Sequence, residues 1–340
     1  MIKLEGLIDF TNDIGRRQFI SLSGSTLLGL SLLSFADWDN KAFAASKSQV
    51  GLIKTSNRND GVKRSLNLIP LPDVNGDTVL IKPNFNTADP APGSTDNETL
   101  ITIIEELQKA GAERIIIGER SGPPDTEEVM EEKGIFEIAE EYNIEIINFD
   151  QLTDDELTLF NREGLHWPDG FKIPRILNEV DHIIATGCLK THQFGGQFTM
   201  ALKLAVGIIP REGTDYMSQL HNSDDMRRMI AEISLAYSPD LFIIDGVEAF
   251  TAGGPSTGNR VDSNIFLVSK DPVAVDATGV AMLKNLGSTD VIMNTPVFEL
   301  EQIARAAEIE LGVSGPEEIE IISDTAEGKN LADKLKGFLA

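Results

Sequence analysis

Lys190, Thr191 and His192 stand a few residues before Gly195, Gly196, Thr199, Lys203 and Gly207. Ammonium, imidazole and hydroxyl groups at that spacing can bind an anion and move a proton on it. The apolar run from His182 to Thr186 reads as a buried strand. Lys190 and His192 are therefore expected to emerge at its carboxyl end, where open α/β sheets hold their ligands. The glycine pair then predicts a helix amino terminus able to cradle an anion, with Thr199, Lys203 and Gly207 on one face by their spacing of four. His192, with an unperturbed pKa of about 6.5, is the candidate general acid or base.

Other strand ends carry further candidates. Lys82-Pro83-Asn84 offers a cation and an amide at a fixed exit from an apolar run, suited to a carboxylate or phosphate; the same residues also suit a turn in which asparagine satisfies backbone groups. Gly118 to Pro124 forms a second polar loop on the same expected edge, marked first as a turn by its glycines and prolines. Asp245 ends another apolar run and precedes a loop containing Gly254 and Gly258, which puts a carboxylate and flexible backbone near a ligand. Asp276 falls within the first turns of an apolar helix, where a buried carboxylate needs a lysine or metal partner, whereas Asp271 before Pro272 reads as a helix cap. No histidine pair has the spacing of a helical metal motif. A divalent metal would have to assemble from distant residues, for which His192, His221 and Asp245 are the candidate set.

These side chains need a scaffold. Apolar runs recur at 78–81, 114–118, 144–149, 182–186, 241–245 and 264–269, alternating with helical patterns at 99–110, 126–141, 224–237 and 274–286. Strands separated by helices predict an α/β fold, a mostly parallel sheet with helices on both faces. Residues 150–175 interrupt the alternation and read as an irregular insertion.

The chain has 340 residues, 41% of them hydrophobic, and a formal net charge of -25. That charge argues against nucleic acid as a partner, because phosphate backbones need a basic surface. A small anionic ligand instead needs lysines concentrated locally, as Lys82, Lys190 and Lys203 are beside glycines. The single cysteine, Cys188, allows no internal disulfide and supplies no iron–sulfur cluster; a buried small residue is its expected role. Arg16-Arg17 precedes a weakly apolar, serine- and glycine-containing run, the pattern of a twin-arginine export signal over residues 1–44. Ala42-Phe43-Ala44 fits cleavage, giving a periplasmic or other extracytoplasmic domain of residues 45–340 with no remaining membrane span.

The order of Lys82-Pro83-Asn84, Lys190-Thr191-His192, Thr199 to Gly207, Asp245-Gly246 with Gly254-Pro255 and Gly258, and Asp271 to Asp276 resembles the DUF362 family, over roughly Val50 to Leu286. The resemblance implies an association with ferredoxin-like iron–sulfur domains. This chain departs from it in lacking the cluster cysteines and in carrying Leu204 where an asparagine is expected after the lysine. Two functions follow as expectations. One is an exported enzyme acting on a small carboxylate or phosphate, with lysines binding charge and His192, Asp245 and Asp276 serving proton or metal chemistry. The other is a non-catalytic binding or maturation protein, or a redox partner borrowing a cluster from another chain.

Overall fold

In the computed structural model the described residues are 47–195, 197–211 and 215–339. The candidate signal of residues 1–44 and Gly196 lie outside them. The strands are β1 (Ser48–Lys54), β2 (Thr78–Lys82), β3 (Arg114–Glu119), β4 (Glu145–Asn148), β5 (Leu157–Phe160), β6 (Phe171–Pro174), β7 (His182–His192), β8 (Gln197–Thr199), β9 (Leu241–Gly253), β10 (Gly258–Ser269) and β11 (Ile319–Ile322). Nine of these form one sheet in the order β11-β1-β10-β9-β7-β2-β3-β4, with β8 paired to β7 beyond the main path. The pairings from β9 through β7, β2 and β3 to β4 are parallel, as is β1 with β11. β10 runs antiparallel to both its neighbours.

The two-residue period of strand side chains sorts the core onto the two faces of the sheet. Val79, Ile81, Ile184, Leu241 and Ile243 pack with residues of the helices Arg58–Leu68 and Asn97–Lys109. Their sequence neighbours Leu80, Ile183, Ala185, Phe242 and Ile244 pack instead with the helices Pro272–Leu286, Glu301–Glu308 and Ala326–Leu339. Strands covered on both sides carry the near-continuous apolar runs visible in the sequence. Asp96, Asp125 and Asp271 cap their helices by accepting from backbone N–H groups in the first turn, the role expected of aspartates at those positions.

Three local features depart from expectation. The predicted helix over 126–141 is two, Thr126–Glu132 and Ile135–Tyr142, separated at Gly134 with φ of 69°. Residues 150–175 hold the antiparallel β5–β6 pair, anchored by the buried Trp167, whose ring stands edge-on to Phe171 at 5.2 Å and to Tyr216 at 6.1 Å. Most consequential is β7, which does not stop near Thr186 but continues to His192 and turns back as β8. Gln197 to Thr199 is thus strand, and the helix that follows is only Ala201–Leu204, continued by a tight turn through Ile208.

Candidate functional site

Because β7, β2 and β3 are adjacent and parallel, their carboxyl ends deliver Lys82, Glu119, Arg120 and Lys190 to one edge of the sheet. These residues, with Asn84, His192, Thr199 and Lys203, line a small cavity of about 50 Å3. Of the residues selected from sequence, Lys82, Asn84, Lys190, His192, Thr199 and Lys203 are therefore brought together.

Each cation is held differently. The Lys82 Nζ donates to Glu119 Oε1 at 2.6 Å and to the Pro83 carbonyl at 2.8 Å. Glu119 also accepts from the backbone N–H groups of Phe85 and Arg120. Burial disfavours charge on both partners, lowering Lys82 and raising Glu119 from their ordinary values, while their contact works against this. Gly207 permits that arrangement, since a Cβ there would lie 2.5 Å from Glu119 Oε1 and 2.8 Å from Lys82 Nζ. Lys190 reaches only neutral oxygens, Asn84 Oδ1 at 2.9 Å and the Gly93 carbonyl at 2.6 Å. The Arg120 guanidinium donates to the Ser121 and Val206 carbonyls, and its buried Nε has no partner. Lys203 makes no hydrogen bond or ion pair among the described residues. Burial brings the ammonium groups of Lys190 and Lys203 down to about 8, Lys203 also feeling Lys190 and Arg120.

His192 departs from the expected acid–base role. Burial first, then Lys203, Lys190 and His221, push its imidazole down to about 2. The ring is neutral near pH 7, and its buried Nδ1 has no hydrogen-bond partner. His192, Lys203 and Arg120 also border a wider outer chamber reached by His221, Phe194, Arg211 and Met217.

The remaining candidates have other duties. Asp245 is buried outside this cavity, accepting from Arg58 Nε at 2.8 Å, Thr99 Oγ1 at 2.9 Å and the Val247 N–H at 2.9 Å. The proposed metal set of His192, His221 and Asp245 is accordingly not assembled, and no cluster of three histidine, cysteine or acidic residues among the described residues has metal-binding geometry. Asp276 is a cap: its carboxylate accepts from the Ala201 and Leu202 N–H groups at 2.7 and 3.1 Å. Those amides are therefore already occupied and are not available as the expected anion cradle. Gly254, with φ of 77°, lies where a Cβ would strike the Thr191 carbonyl, and Gly258 lies where one would strike that of Ala252. Both are backbone requirements of a turn whose Pro255 borders the cavity. Cys188 is buried, donates to the Ser94 carbonyl at 3.3 Å and is pushed up to about 12 by burial, an environment unfit for a cluster ligand. Glu119 and Arg120 were hidden in a segment that reads as a turn; the usable signal was its position after an apolar strand parallel to β2.

Comparison with known proteins adds the following. The chain is 26% identical over 211 residues to the thylakoid-associated protein sll1697 of Synechocystis, a match covering 59% of this chain and 61% of that protein. Its backbone is similar to the lactate racemase apoprotein of Thermoanaerobacterium thermosaccharolyticum with a TM-score of 0.45 and 17% identity, covering 68% of this chain and 57% of that one. The chain thus spans about three fifths of the length of each. Residues 79–281, which contain every cavity residue named above, match the model of a domain of unknown function, and the chain belongs to that family, DUF362.

Proposed function

We propose that the protein binds a small organic anion through its carboxylate or phosphate group in this cavity and promotes a proton transfer on it. The observation that carries this reading is the half-buried Lys203 ammonium, which lines the cavity beside the buried Lys190 and Arg120 and has no carboxylate partner among the described residues. Lys82, Arg120, Lys190 and Lys203 face one carboxylate, Glu119, so the cavity holds an excess of positive charge. Buried charge without a counterion is unfavourable, and it is retained where a ligand supplies the missing charge. Lys190, Lys203 and Arg120 are the binding groups. Lysines with pKa values of about 8 are also better matched to proton exchange near neutrality than His192, which serves as a neutral hydrogen-bonding group.

A second reading, a binding protein without catalysis, is favoured by His192 itself, because an imidazole pushed down to about 2 is a poor base. Calorimetric titration with small carboxylates and inorganic phosphate separates the cases. Loss of one charge-assisted contact in Lys203→Met should weaken binding by about ten- to a hundredfold; unchanged affinity would remove the basis of both readings. At saturating ligand, exchange of deuterium from solvent into the bound anion, followed by NMR, should occur and be slowed in Lys203→Met if the protein is an enzyme, and should be absent from the parent chain if it is a binder.

A further inference from the structure

We infer that the natural ligand is amphipathic: an anionic head seated among the cavity cations, joined to an apolar chain or ring that lies in the outer chamber. This rests on the anion reading above and adds to it the class of the rest of the molecule. The inner cavity and the outer chamber adjoin, with Arg120, His192, Lys203, Val206 and Pro255 lining both, so a ligand whose head sits against Lys203 has the outer chamber beside it. The outer space is the larger, about 560 Å3. Its remaining lining changes character, with Phe194, Met217 and Pro123 beside the shared Val206 and Pro255.

Two details support an apolar occupant. Phe194 is 62% exposed, a large aromatic surface left in water at the mouth of a cationic site. Its ring is set edge-on to His192 at 6.0 Å, which places the apolar wall directly after the last polar group of the cavity. The Arg120 Nη2 donates to the Met217 sulfur at 3.2 Å and to the Val206 carbonyl at 2.9 Å, so cation and apolar wall meet at one point. Arg211, which lines the outer chamber but not the inner cavity, is already engaged, donating to the carbonyls of Ser121, Gly122 and Pro124 and pairing with Asp150. Inorganic phosphate or a short acid would fill the inner cavity and leave this wall wet, whereas an amphipathic anion covers it.

The test is calorimetry on the full chain with acetate, butyrate, hexanoate and octanoate, and with inorganic phosphate against monobutyl phosphate. Affinity should rise about three- to fourfold for each of the first several methylenes. Phe194→Ala should flatten that rise while leaving acetate and inorganic phosphate unchanged, and Lys203→Met should weaken every member of the series by a similar factor. Affinity that depends on Lys203 but not on chain length overturns the amphipathic ligand and spares the anion site. Affinity that grows with chain length but ignores Lys203, or no binding by any member, overturns both.

Discussion

At the scale of single residues, the site depends on protons as much as on positions. The free protein holds Lys190 and Lys203 at about 8, below the lysine range, because burial penalises their charge. An anion binds the protonated forms and must therefore draw protons back onto these groups when the pH exceeds that value. Affinity for a simple carboxylate, whose own charge is constant above pH 6, should be level up to about pH 7.5. Above pH 8 it should fall by up to about tenfold per pH unit for each lysine involved. Titration at pH 8.5 to 9 in two buffers of different ionisation enthalpy should register uptake of one to two protons. Affinity that stays constant to pH 9.5 would mean that neither lysine meets the ligand. His192 adds no step to this profile near neutrality, since its ring remains neutral throughout.

At the scale of elements, the same Asp276 that looks catalytic in a list of carboxylates is what ends β8 and starts the next turn of helix. It is fully buried, accepts from two amides and is raised to about 7 by desolvation. Because that value lies above the unfolded one, its contribution to stability is greatest below pH 4 and is lost as pH rises through about 7. Asp276→Ala orphans two buried donors and should cost about 2–5 kcal/mol in urea unfolding; Asp276→Asn, which keeps one acceptor, should cost less and retain anion affinity. Loss of affinity in a folded Asn variant would return Asp276 to the site. The sequence made the parallel strands and four cavity residues legible, because Lys82, Asn84, Lys190 and His192 follow apolar runs whose direction is fixed by right-handed crossovers; Thr199 and Lys203 were selected by a helical spacing, although Thr199 lies in β8. It did not show β8, since three residues are too few to display a period and the glycines before them suit a hairpin as well as a helix. Nor could it show that Asp245 belongs to Arg58, 187 positions away, or that Asp276 belongs to Ala201, 75 away. Partnership across such separations is decided by sheet order, and local pattern carries no record of it.

At the scale of the whole molecule, a chain with a formal net charge of -25 contains a cavity lined by four cations and one carboxylate. The surface opposes anions at a distance and the cavity attracts them at contact, so selectivity must come from short-range desolvated contacts more than from steering. Holding those cations together costs the fold stability unless an anion balances them. For Lys203 the folded pKa of about 8 lies below the ordinary 10.5, so its charge destabilises the native state at neutral pH and the penalty is relieved as pH rises from 8 toward 10.5. Lys203→Met should therefore melt higher than the parent chain at pH 7 when no ligand is present, by several degrees for a gain of about 1–3 kcal/mol. Adding an anion at a hundred times its dissociation constant should stabilise the parent by about 2.7 kcal/mol and the variant by much less, so that the order of the two melting curves narrows or reverses. Calorimetric melting of both proteins, with and without ligand, reads this directly. A ligand-free variant that melts below the parent would show that Lys203 serves the fold and not a missing counterion, and the cavity would then have to be explained without an anion.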